Sequence, residues 1–247
     1  MEKQLEIKLN FLTTYAIIST LIFGSVLLFS FNNKTNNENF DEITVKRINV
    51  ISEDGSLRMV LSNETRQHPG RVNGKDLDDR ERPAGLLFFN DEGDECGGVI
   101  YSGKTEDGKT YSGMSFTMDQ YKEDQVIQIL NSESYIDGKE NISRGILISD
   151  LPTGSDLMTR MDSIKGIQEK LKNMSEEEAN KLMSEIGNSL GSKQRLFIGR
   201  TKNNNSGLYL SDPDGKQKIK IYVDENGTPK FDVLDNNGVY KNILENN

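Results

Sequence analysis

The chain has 247 residues, with 39 acidic against 30 basic side chains and a net charge of -9. This balance excludes a general nucleic-acid binder, because neutralising a phosphate backbone takes a basic face that such a composition does not supply. The lone cysteine, Cys96, and the lone histidine, His68, exclude an intramolecular disulfide and a zinc site of the usual Cys/His kind.

Trp is absent, while Gly, Asn and Asp are plentiful, which favours many turns and thin aliphatic layers over a large helical core. In chain order, a short tail of residues 1–10 precedes residues 11–31, FLTTYAIISTLIFGSVLLFSF, a run without a charge. About 20 helical residues cross the hydrocarbon core of a bilayer, so this run predicts one uncleaved transmembrane helix in contact with lipid. Its polar members are chiefly Thr and Ser, which bond back to the helix's own carbonyls. The apolar core of a cleaved signal is shorter, about 7–15 residues, and ends at a small-residue site that is not found here. Lys3 and Lys8 lie before the run and Lys34 is the one base close behind it, which places the N-terminus in the cytoplasm and the rest of the chain outside. Residues 32–42, NNKTNNENFDE, have almost no apolar content and read as a flexible spacer.

Residues 43–247 read as one soluble body. Four segments share a pattern of Gly, alternating apolar positions and Asp: GLLFFND from Gly85, GMSFTMD from Gly113, GILISD from Gly145 and GLYLSD from Gly207. Each is a half-buried strand running into a turn. At the C-terminal end DPDG from Asp212, DENG from Asp224 and DNNG from Asp235 recur at close spacing, as consecutive antiparallel strands require. The first strand pair, residues 43–51 and 56–62, turns at Glu53-Asp54-Gly55 in the same way. An EF-hand loop needs Gly sixth and Glu twelfth, whereas Gly comes fourth in these turns, so plain turns explain the Asp and Asn residues.

Residues 155–190 switch to helical spacing, with Leu157, Met161, Ile164, Ile167 and Leu171 followed by Leu182, Ile186 and Leu190. Ser175 with Glu178 three residues later forms a capping box that starts a second helix. The expected fold is therefore mainly β: an antiparallel meander of repeated hairpins with an inserted helical hairpin, preceded by one N-terminal transmembrane helix. The Met-bearing face of the helices packs on the sheet or offers a groove to a protein partner.

Residues 98–105, GVIYSGKT, match the phosphate-loop pattern letter for letter. That loop works where a buried strand leads in and a helix starts at the Lys, but here an acidic turn precedes the letters and another turn follows. Cys96 with His68 lacks the surroundings of a nucleophile and its base. Asp94 and Glu95 are sequence neighbours, which a strand places on opposite faces. No catalytic residue, metal ligand or cofactor is assigned. Residues 63–83, NETRQHPGRVNGKDLDDRERP, form a long loop of mixed charge, and long loops in compact domains tend to carry function. Folded over the acidic hairpin of residues 90–98, this loop would bring Arg66, Arg80 and Arg82 to Asp91, Glu92 and Glu95, the candidate ligand-binding set.

The runs RMVLSNETR, GLLFFNDEGDECGGVIYSG and SGLYLSDPDGKQKIKIYVDENGTPKFDVLDNNG resemble a group of uncharacterised bacterial proteins with one N-terminal membrane helix and a repetitive β body. The resemblance covers most of residues 43–102 and 195–240 and implies the same architecture without an assigned activity. The function that follows is a membrane-tethered β binding or scaffolding module. The alternative is an enzyme or small-ligand binder built from the Arg-rich loop and the acidic hairpin.

Overall fold

The computed structural model describes residues 1–30, 39–154, 156–171 and 174–244. The expected spacer lies outside the described residues up to position 38. The chain divides into two units, Met1–Thr44 and Val45–Asn247.

The first unit holds helix α1, Glu2–Ser30. Its most apolar window has a mean hydropathy of 1.9 and none of it is buried, so the helix is long and apolar enough to cross a membrane. Thr13, Thr14 and Thr20 donate to the carbonyls of Leu9, Asn10 and Ala16 at 2.8–2.9 Å, which satisfies their hydroxyls within the helix. The expected tail of residues 1–10 is itself almost wholly helical, because Glu, Lys, Gln and Leu are good helix formers and nothing there breaks the pattern.

The second unit is a meander. Strands β1 (Arg47–Ile51), β2 (Leu57–Ser62), β5 (Ala84–Phe89), β6 (Glu95–Glu106), β7 (Lys109–Asp119), β8 (Gln125–Ile136) and β9 (Lys139–Asp150) pair in this order with their neighbours. After two helices, α2 (Leu157–Leu171) and α3 (Glu176–Ser189), the same sheet continues with β10 (Lys193–Arg200), β11 (Ser206–Ser211), β12 (Gln217–Val223), β13 (Pro229–Leu234) and β14 (Tyr240–Asn242), twelve antiparallel strands among the described residues. The remaining pair, β3 (Arg71–Val72) and β4 (Lys75–Asp76), is a small ribbon inside the 63–83 loop. The mainly β meander with an inserted pair of helices is thus as expected. Ser175 caps α3 and Glu178 reaches back to the cap amide.

The turns share one chemistry. Asn90, Asp212, Asp224 and Asp235 each open a turn and accept two backbone N–H bonds on one side-chain oxygen, which closes the hairpin without help from solvent. The recurrent glycines have a different reason. A Cβ at Gly85, Gly145 or Gly207 would stand 2.1–2.2 Å from a carbonyl oxygen of the neighbouring strand, so these strands approach too closely for any side chain. The phosphate-loop letters lie along β6, an unbroken strand through Glu106.

The sheet's two faces differ. On one, Val60, Leu87 and Phe89 form a buried cluster, and the 63–83 loop closes over it: the His68 ring packs edge-on to Phe89 at 4.8 Å and Val72 is buried. On the other, Phe116, Ile129, Ile146, Ile198, Leu208 and Ile221 stand side by side across β7 to β12. That line begins at Ile48 on β1 and ends at Phe231 on β13. A second line, two residues along each strand, runs from Val50 to Val233 and is apolar except at Gly97. No side chain in either line is buried.

Candidate functional site

The 63–83 loop is held down by its own polar groups. His68 is 6% exposed, and its Nδ1 accepts the Gly70 amide at 3.1 Å. Burial lowers the imidazole's pKa, with the Asp76 charge opposing, so His68 is a neutral structural residue. Asp94, 1% exposed, accepts the Gly74 amide at 2.9 Å. The Arg82 guanidinium makes two hydrogen bonds of 2.8 Å to Glu95 and a third to the His68 carbonyl. Loop and acidic hairpin are therefore joined through Arg82, Asp94 and Glu95.

Beside this junction lies a cavity of about 330 Å³, walled by the loop, the β7–β8 turn and the start of α2. Most of its charges are paired. Arg82 is taken by Glu95, Arg71 by Asp76 at 2.6 Å, and Arg160 by Glu123 at 2.8 Å with the Glu123 side chain fully buried. Three lining groups differ, and of these Asp124 is exposed and its side chain accepts, among the described residues, only the Gln125 amide at 2.9 Å. The Arg80 Nε donates to the Pro69 carbonyl at 3.1 Å, and no carboxylate partner is found for this guanidinium among the described residues. Asp119 has a buried oxygen, Oδ1, without a hydrogen-bond partner in the protein. Burial, reinforced by the charges of Glu95 and Asp124, pushes the Asp119 carboxyl up to about 7. Val72, Leu77, Leu157 and Met161 supply an apolar part of the lining. The cavity can thus take a hydrogen-bond donor or cation at Asp119, an anion at Arg80 and an apolar group between them.

Of the six residues expected at a site, Arg80, Arg82 and Glu95 line this cavity. The other three stand elsewhere, and local partners explain why. Asp91 is claimed by Arg58. Glu92 accepts from the Tyr121 hydroxyl at 2.9 Å and pairs with Lys122 at 3.2 Å. Arg66 is exposed at the far end of the loop, where its carbonyl accepts from Arg47 at 2.8 Å. Around this cavity Arg80, Arg82 and Glu95 of that set stand with Asp119, Glu123 and Arg160.

The sequence carried a signal for the missed carboxylates. Where the turns after Asn90, Asp212, Asp224 and Asp235 place Gly fourth, the β7–β8 turn that opens at Gln120 places Glu123. Asp119 sits one position ahead of the turn-opening residue, so it is free of the turn amides that occupy the other Asp residues. Burial, then the Asp119 and Glu95 charges, raise the Cys96 thiol's pKa, which disfavours the thiolate. A second, more open cavity of about 430 Å³ lies over β10 to β12, where Tyr209 stacks on Tyr222 and the Phe197 ring is tilted against Tyr209. No family model, curated protein or solved structure matches the chain.

Proposed function

We propose that the chain is a membrane-tethered binding module whose β body holds a small zwitterionic ligand in the cavity at Asp119, with an apolar α-amino acid as the class that fits best. The ligand's ammonium group would face Asp119, its carboxylate Arg80, and its side chain Val72, Leu77, Leu157 and Met161. The observation that carries this reading is the buried Asp119 Oδ1 without a hydrogen-bond partner, on the wall of a cavity where Arg71, Arg82 and Arg160 are already ion-paired with Asp76, Glu95 and Glu123. A buried polar group without a partner is costly, and a ligand donor supplies the partner. In this reading α1 is the anchor, the N-terminus lies in the cytoplasm and the body lies outside, as Lys3 and Lys8 ahead of the apolar run favour.

Ligand-observed NMR on the full chain in detergent tests the binding function, with leucine, methionine, phenylalanine, succinate and glucose 6-phosphate as probes. Saturation transfer to the amino acids and not to succinate or the sugar phosphate is the expected result. Transfer to none of the five, or to succinate alone, overturns it. The uncovered apolar sheet face favours a scaffolding role beside ligand binding.

A further inference from the structure

We infer that the uncovered apolar face of the sheet is the surface on which two copies of this chain pack, sheet on sheet. The inference is independent of the cavity and of any ligand. It rests on the two lines of side chains that cross β1 to β13 on that face. Ile129, Ile146, Ile198 and Ile221 are between 39% and 49% exposed, the first three direct register neighbours and Ile221 joined to Ile198 through Leu208. No charged residue interrupts either line. A monomer rarely leaves a contiguous apolar patch above a few hundred Å² in water, and a two-sided antiparallel meander ordinarily alternates apolar and polar faces only because the apolar one is covered.

A second copy is the occupant that the area and the chemistry fit. Of the 21 apolar side chains in the two lines eight are exposed and thirteen half-buried, which together present on the order of 1,000 Å² per copy, above the roughly 800 Å² per partner of a standard stable interface. Packing the stripe against itself needs no charge to be matched, because a twofold axis through it sets aliphatic rows against aliphatic rows at the usual spacing of about 10 Å. A lipid surface fits less well. A chain with a net charge of -9 is repelled by anionic headgroups, and the basic side chains at the margin of the stripe are already paired rather than free to hold headgroups: Arg144 with Glu133 at 2.8 Å, Arg200 with Glu140 at 3.6 Å and Lys241 with Asp235 at 3.2 Å.

The test uses the full chain reconstituted in vesicles with Cys96→Ser as background. Cysteines are introduced singly at Ile198, on the apolar stripe, and at Ser132, which is exposed on the opposite face. A short bismaleimide is expected to give a covalent dimer from Ile198→Cys at least tenfold more than from Ser132→Cys, and the pair Ile129→Asp with Ile198→Asp is expected to abolish the dimer in sedimentation while the far-ultraviolet circular dichroism spectrum is kept. Should the aspartate pair fail to fold, the cross-linking comparison decides alone. Equal cross-linking at both positions, a monomer in sedimentation of the Cys96→Ser chain, or shielding of a fluorophore at position 198 in nanodiscs holding one copy would each overturn the proposal, the last by assigning the face to lipid.

Discussion

Arg82 and Glu95 meet as a two-pronged pair, Nη1 to Oε2 and Nη2 to Oε1, each at 2.8 Å. Their side chains are 11% and 15% exposed. Arg82 belongs to the end of the 63–83 loop and Glu95 to the first position of β6, so the pair fastens the loop across the sheet. It also forms one wall of the cavity that holds Asp119.

Breaking this pair is expected to be expensive because the partner left behind is a buried, uncompensated charge. Arg82→Ala should lower the unfolding free energy by about 3–5 kcal/mol. Arg58→Ala, which removes the partner of the 93% exposed Asp91, should cost less than about 1 kcal/mol in ion pairing. Denaturant midpoints of the two variants under one buffer check the contrast.

Asp119 gives the fold a pH dependence whose sign follows from its raised pKa. Below the unfolded value near 4, the carboxyl is protonated in both states and nothing is lost. As pH rises towards about 7, the unfolded chain releases its proton while the folded one holds it, so this contribution to stability falls across that window. The Asp119→Asn variant should lose this part of the decline and be more stable than wild type at pH 8 but not at pH 4. Urea midpoints of both proteins at the two pH values measure it.

The paired glycines of β9 and β10 should not tolerate a methyl group. A Cβ on Gly199 would stand 2.0 Å from the Arg144 carbonyl oxygen, so Gly199→Ala is expected to cost more than about 2 kcal/mol through forced separation of the strands. At Gly227, a turn position with φ +83° and nothing within 4 Å, alanine meets only its backbone preference and should cost about 1 kcal/mol. Thermal melts of the two variants order them.

Much of this architecture was legible in the sequence, for physical reasons. Period-2 alternation and turn residues of fixed chemistry are local signals, and the strands after Gly85, Gly145 and Gly207 obey them. The capping box at Ser175 is local too. The site was less legible because its contacts are not local. Nothing in the loop's own sequence distinguishes Arg82, which reaches Glu95, from Arg66, which does not, since the choice depends on where the loop crosses the sheet. Arg160 is 37 residues from Glu123 and was hidden in a segment read only for its apolar face. Alternation also identified which side chains share a face but not whether that face is covered, so the open stripe through Ile129 and Ile198 became visible only with the full register.

Alkaline carbonate extraction bears on the tether. The full chain should remain with the membrane pellet, and a chain lacking residues 1–38 should move to the supernatant. A full chain released by carbonate would assign α1 another role.

The binding function is tested most directly by calorimetric titration of leucine into the full chain, alone and with Arg80→Ala or Asp119→Asn. Both substitutions are expected to abolish the binding heat while leaving the thermal melt cooperative, because each removes one of the two groups assigned to hold the ligand's charged ends. Leucine binding of equal strength in wild type and both variants, or no heat from any of them, would contradict the assignment.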